Sequence, residues 1–201
     1  MSPEVHHVFR QILSEHAFSG PVMEIGAVDN ADCLLHLPAF DHSIEKTGVN
    51  LIAQNNTGPI RFISQNANDL SCFKDNYFDA VVCNSMLEHD AMFWKTLAEI
   101  RRVTANNGVV VIGVPGYAGM GLNHVFKKRN LLQKAMQLFA RLYDNKALSA
   151  STLTLGEHFF PGDYYRFSEH AVREVFFAGF TDVKIYKTLN PPRFIGVGKK
   201  A

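Results

Sequence analysis

The chain has 201 residues, 47% of them hydrophobic and 19% charged, with a formal net charge of +1. That is enough apolar material for one domain-sized core, and the near-neutral balance offers no broad electrostatic footprint for nucleic acid. The three cysteines (Cys33, Cys72, Cys83) show no CxxC spacing and argue against a disulfide framework or a zinc site; no apolar run is long enough to span a bilayer.

Residues 4 to 18 place Val5, Val8, Phe9, Ile12 and Leu13 at helical spacing, which predicts an amphipathic helix. Gly20-Pro21 punctuates, and "VMEI" reads as a short buried strand. "ADCLLHL", residues 31 to 37, suits a short helix capped by Asp29 or Asn30. "KTGVNLI", "IRFISQ" and "YFDAVVCN" are the second, third and fourth strands. Residues 91 to 104 form the clearest helix, capped by Asp90, with Phe93, Leu97, Ile100 and Val103 on one face. Arg101 and Arg102 fall in its last turn, where cations favour the helix dipole. "NNG" ends it, and "GVVVIGVP" is the fifth strand.

A continuous β-branched run such as Val109 to Ile112 predicts a strand buried on both faces, the mark of a parallel sheet covered by helices. Near the C-terminus Ser168 can cap a helix over 169 to 177 that Gly179 ends. "TDVKIYK" and "RFIGVGK" then follow, joined only by "TLNPP". A parallel crossover needs roughly ten to twelve residues, so these two strands must pair antiparallel. The expected fold is α/β: a three-layer sandwich around a mixed seven-stranded sheet that ends in an antiparallel hairpin.

The stretch "PVMEIGAVDN", residues 21 to 30, stands where a nucleotide-binding α/β domain puts its glycine-rich loop. Gly26 is present, and Val28 and Asn30 occupy the places of two later glycines. "VMEIGA", "FDAVVCNSMLEHD", "LAEIRRVTANNGVVVIGVP" and "GDYYRFSEHAVREVFFAGF" together, in order and spacing, resemble the class I S-adenosylmethionine-dependent methyltransferases, particularly the small type 11 group. The resemblance covers roughly residues 20 to 115 and 157 to 199. It implies a Rossmann-like methyltransferase fold in a single domain over 1–201, S-adenosylmethionine as cofactor, and methyl transfer to a small or medium-sized acceptor.

The residues leaving the carboxyl ends of the strands are then the cofactor candidates. The resemblance implies that Glu24, Gly26 and Ala27 meet the methionine end, Asn50 and Leu51 the ribose, Asn66 and Ala67 the adenine, and Asn84, Ser85 and Leu87 the groove beside the sulfonium. Asn50 and Asn66 stand where the family usually has acids. Each has a plainer reading: Glu24 bonding loop backbone, Asn50 and Asn66 as turn residues, and Leu87 as packing.

His89, in "LEHD", is the best-placed general base, with a helix-entry histidine as the plainer reading. Residues 116 to 167 are long for a connection and read as a lid or acceptor-binding insertion. The insertion opens on a glycine run and continues in a basic, amphipathic segment, 124 to 145. That segment is read as a helix packed over the site, in preference to a surface that meets a membrane or an anionic substrate. His158, Asp163, Tyr164, Tyr165 and Arg166 crowd into one short loop suited to an acceptor. There Arg166 either forks onto an anionic group or pairs with Asp163 or Glu169.

The competing class is a non-catalytic member that keeps the fold for binding or regulation, supported by the changes at Val28, Asn30, Asn50 and Asn66. A nicotinamide oxidoreductase is weakened by the missing GxGxxG and by the hairpin. No metal is indicated, since no HxxxH or clustered carboxylate set occurs. A cytoplasmic setting is expected from the cysteines and from an N-terminus without an apolar signal core. The acceptor and the oligomeric state are not legible.

Overall fold

The computed structural model describes residues 1–54, 58–119, 152–154 and 162–201. Helix α1 (Pro3–Ser14) leads into β1 (Val22–Ile25), β2 (Lys46–Asn50), β3 (Ile60–Ser64) and β4 (Phe78–Asn84). Helix α2 (Phe93–Val103) precedes β5 (Thr104–Pro115). A small ribbon pairs β6 (Tyr117–Gly119) with β7 (Thr152–Thr154), antiparallel. A short helix, α3 (Glu169–Ala171), continues as a π turn over Val172–Phe176, and β8 (Phe180–Thr188) and β9 (Arg193–Lys200) close the chain.

The main sheet has seven strands in the order β3-β2-β1-β4-β5-β9-β8. The first five run parallel, and β9 lies antiparallel between β5 and β8. The expected mixed sheet and its terminal hairpin are both present. Between β1 and β4 the strand order reverses, which fixes where a ligand cleft opens.

Successive strand residues point to opposite faces, so each buried run feeds two cores. Ala80, Val82, Val109 and Val111 pack with Phe9, Ile12, Phe40 and Ile195 on the α1 side. Val81, Cys83, Val110 and Ile112 pack with Ile100, Val103, Phe176 and Phe177 on the α2 side.

Four local expectations are corrected. Asp90 does not cap α2, which starts at Phe93 after Met92 with no side-chain cap; Asp90 accepts from the Met92 amide at 2.8 Å instead. Residues 31 to 37 form no α-helix; they make a 3-10 turn at Leu34–His36, followed by another at Pro38–Phe40. Pro38, lacking an amide hydrogen, forbids continuation of a regular helix there. "NNG" does not end α2. That helix stops at Val103, where Thr104 donates its hydroxyl to the Ile100 carbonyl at 2.6 Å, and residues 106 to 108 lie inside the bulged start of β5. The segment 169 to 177 is only briefly α-helical. Ser168 does cap it, accepting from the Ala171 amide at 3.0 Å, but the chain widens into the π turn so that Phe176 and Phe177 are both buried.

No regular helix fills the β3–β4 connection. Arg102 holds it instead, donating to the carbonyls of Leu70 (2.8 Å) and Phe73 (2.9 Å) and pairing with Glu99 and Asp75. The expected glycine hinge beyond Gly119, the helix within 124 to 145, and His158 lie outside the described residues.

Candidate active site

The rim at the carboxyl ends of β1, β2 and β4 is built from backbone upward. Gly26 follows β1 with φ +81, a region that favours glycine. Its amide donates to the Val49 carbonyl at 2.8 Å, and Ala27 donates to the same oxygen at 3.2 Å. A Cβ added at Gly26 would sit 3.0 Å from the Met86 Cβ, so the loop after β1 and the turn after β4 are in direct contact. Val28 is 43% exposed, turned out of the core.

Glu24 is buried, and its Oε2 accepts from the amides of Leu34 (2.8 Å) and Leu35 (3.3 Å) and from the Cys33 thiol (3.2 Å). It therefore caps the 3-10 turn from a distance, in place of the expected Asp29 or Asn30. Asn30 instead accepts from the Asp32 amide at 2.8 Å. Burial pushes the Glu24 carboxyl up to about 7, against the pull of the Cys33 thiol and the two amides. Burial and the neighbouring Glu24 push the Cys33 thiol up in turn.

Asn50 ends β2 with both ends of its amide engaged. Nδ2 donates to the Ala27 carbonyl at 2.8 Å, bracing the loop after β1, and Oδ1 accepts from Ile52 at 3.1 Å. Leu51 and Ile52 beside it are 70% and 66% exposed, an apolar edge at the cleft. Asn66 Oδ1 accepts from the Asn68 amide at 2.9 Å, a turn geometry, and Ala67 is buried. Asn68 in turn donates to Asp90 at 2.7 Å, joining the β3 loop to the residue after His89.

At the end of β4, Asn84 Oδ1 is buried with no hydrogen-bond partner among the described residues. Ser85 has φ +56 and donates its amide to the Gly113 carbonyl at 2.9 Å. Leu87 is fully buried and acts as packing. Glu88, also fully buried, lies 3.7 Å from Arg193. Burial pushes its carboxyl up to about 7, opposed by its own backbone amide and by Arg193 and Arg166. The Glu88 carbonyl accepts from the amides of Tyr164 (2.8 Å) and Tyr165 (3.2 Å), which hangs the 162–167 segment on the β4 turn. His89 closes the 3-10 turn Leu87–His89 on this same rim.

Arg166 donates to both carboxylate oxygens of Asp163, at 2.5 and 2.7 Å, so its fork is engaged within the chain. Tyr164 is 59% exposed, whereas Tyr165 stacks edge-on against Phe93 at 5.1 Å and donates its hydroxyl to the Ala91 carbonyl. The structure thus brings Gly26, Asn50, Ser85, Glu88, His89 and the 163–166 loop to one end of the sheet. Two surface concavities lie elsewhere, one by His16, Asp79 and Lys199, the other beside β3 at Arg61 and Tyr77.

Residues 36–112 match the family model described as a methyltransferase domain, type 11. Over that segment the chain is similar to type 11 methyltransferase domains. The domain is 33% identical over 66 residues to an uncharacterized protein of Methanocaldococcus jannaschii, an alignment that spans 33% of this chain and only 29% of that protein. Among solved structures it resembles phosphoethanolamine N-methyltransferase 2 of Haemonchus contortus, bound to phosphomonomethylethanolamine and S-adenosylhomocysteine. There the TM-score is 0.63 with 11% identity, covering 99% of this chain and 53% of that one. It also resembles the N-methyltransferase NodS of Bradyrhizobium japonicum, bound to S-adenosylhomocysteine, with TM-score 0.59 and 13% identity, covering 98% and 86%. At such identities the likeness to the solved structures is one of fold.

Arg193 is the site residue that sequence reading missed. The available signal was an arginine opening the otherwise apolar run "RFIGVGK".

Proposed function

We propose that this protein moves a methyl group from S-adenosylmethionine to a small or medium-sized acceptor. One observation carries the reading: at the point where strand order reverses, the loop at Gly26 (φ +81) packs against the turn at Ser85 (φ +56) and Met86, so two left-handed backbone positions meet at the carboxyl ends of β1 and β4. The exposed Leu51 and Ile52 fit a ligand with an apolar part.

Gly26, Ala27, Leu51, Asn84 and Ser85 would hold the cofactor, which when bound supplies an electrophilic methyl group. The chain contributes alignment and exclusion of water. His89 would take the acceptor's proton, and Tyr164, exposed on the adjoining loop, would face the acceptor. The three free cysteines fit a reducing, cytoplasmic setting. Among the described residues no helix is long and apolar enough to cross a membrane.

The test is release of S-adenosylhomocysteine from S-adenosylmethionine on addition of pooled small amines, phenols and alcohols. Acceptor-dependent release is expected. His89→Ala should lower kcat about a hundredfold or more if the histidine is the base.

A non-catalytic reading rests on a different observation. Glu24, Asn50 and Asn66 all spend hydrogen-bonding capacity within the chain. Acceptor-independent binding without turnover of any pool would favour it.

A further inference from the structure

The C-terminal hairpin does more than complete the sheet. Arg193 opens β9, in register with Pro115 of β5 and Thr188 of β8, so its backbone is fixed from both sides. Its side chain is 10% exposed and crosses to the turn after β4. There Nη2 donates to Ser85 Oγ at 2.5 Å and lies 3.7 Å from Glu88 Oε1. The first contact is a charge-assisted hydrogen bond; the second is an ion pair beyond hydrogen-bond length.

Ser85 needs such a hold. At φ +56 it occupies the left-handed region, which a non-glycine residue keeps only when its surroundings enforce it. One restraint is its amide bond to Gly113; Arg193 supplies another through the side chain. With one lone pair taken by Arg193, the Ser85 hydroxyl proton is left to point elsewhere, and Ser85 is partly exposed.

We infer that Arg193 is a positioning residue: it locks Ser85 and the turn through Glu88 into the conformation that receives the cofactor. The Arg193 guanidinium is turned to Ser85 and Glu88, with its side chain only 10% exposed. It acts through Ser85, and through Glu88 it also steadies the carbonyl from which the Tyr164–Tyr165 loop hangs. The hairpin thereby couples the cofactor side of the cleft to the acceptor side. This inference rests on the methyltransferase reading above.

The experiment is calorimetric titration with S-adenosylhomocysteine, paired with thermal melting, on five proteins: wild type, Ser85→Ala, Arg193→Lys, Arg193→Met, and the pair Glu88→Gln with Arg193→Met. Arg193→Met alone leaves buried Glu88 without its cation and, at pH 8 where the acid would ionise, is expected to melt early. The double variant removes that stranded charge and is expected to recover the melting temperature.

Recovered stability with Kd still weakened roughly tenfold or more is the predicted result, because the hold on Ser85 is absent in both variants. Ser85→Ala should weaken Kd without lowering the melting temperature comparably, and Arg193→Lys should rescue part of the affinity. If the double variant binds S-adenosylhomocysteine as tightly as wild type, Arg193 is only a charge partner of Glu88 and the inference is overturned. If wild type itself does not bind, the methyltransferase reading fails first, which separates the two ideas.

Discussion

The Glu24 carboxylate accepts the Leu34 amide at 2.8 Å, ten residues further along the chain. This contact ties the 3-10 turn Leu34–His36 to β1. A buried acid gathers the amides of Leu34 and Leu35 and the thiol of Cys33. Burial raises the folded-state pKa from 4.5 to about 7, so the fold favours the neutral acid. The stability tied to that group is fully present below pH 4.5 and is lost as pH rises through about 7. Glu24→Gln cannot ionise and keeps an acceptor oxygen. Urea unfolding at pH 4.5 and pH 8 should show the variant gaining roughly 3 kcal/mol on wild type between the two. Parallel pH profiles would refute the assignment.

Gly26→Ala places a Cβ 3.0 Å from Met86 at φ +81. Strain of about 1–2 kcal/mol is expected from the left-handed conformation, with more if Met86 cannot yield. Denaturant unfolding measures this directly. Unchanged stability would mean that the loop adopts another conformation.

The strands were legible because continuous apolar runs such as Val109 to Ile112 have few other uses, and the hairpin because five linking residues cannot cross a sheet. The 31–37 segment misled because its apolar spacing suits a helix, whereas Pro38 and the distant Glu24 decide its form. "NNG" misled because a turn-like tripeptide can also open a bulged strand, with Asn107 at φ 63. Gly26 was legible as a backbone requirement. Arg193 was not, because its role arises from a contact with Ser85 across 108 residues.

Asp163 and Arg166 form a pair whose side chains are only 4% and 14% exposed. Arg166→Ala leaves the acid buried without its main cation, so a loss of about 3–5 kcal/mol is expected. Asp163→Asn combined with Arg166→Met should be far less damaging. Were Arg166 a fork for an anionic acceptor, the single variant would keep its stability and raise KM instead, and steady-state kinetics would show it.

Phe177 owes its place to two glycines of β9. A Cβ at Gly196 or Gly198 would fall 2.4 or 2.8 Å from its ring. Phe177→Ala should cost about 3–5 kcal/mol. Gly196→Ala should also destabilise, and the double variant should lose less than the sum, since the shortened side chain leaves room for the methyl group. Strict additivity in equilibrium unfolding would argue against the packing described.

The central claim is that a loop with one glycine, braced by buried Glu24, holds S-adenosylmethionine. Calorimetric titration of the wild-type protein with S-adenosylmethionine tests this most directly. Saturable one-to-one binding in the micromolar range, about −8 kcal/mol, is the predicted result. No heat of binding at millimolar ligand, from protein shown to be folded, would contradict it.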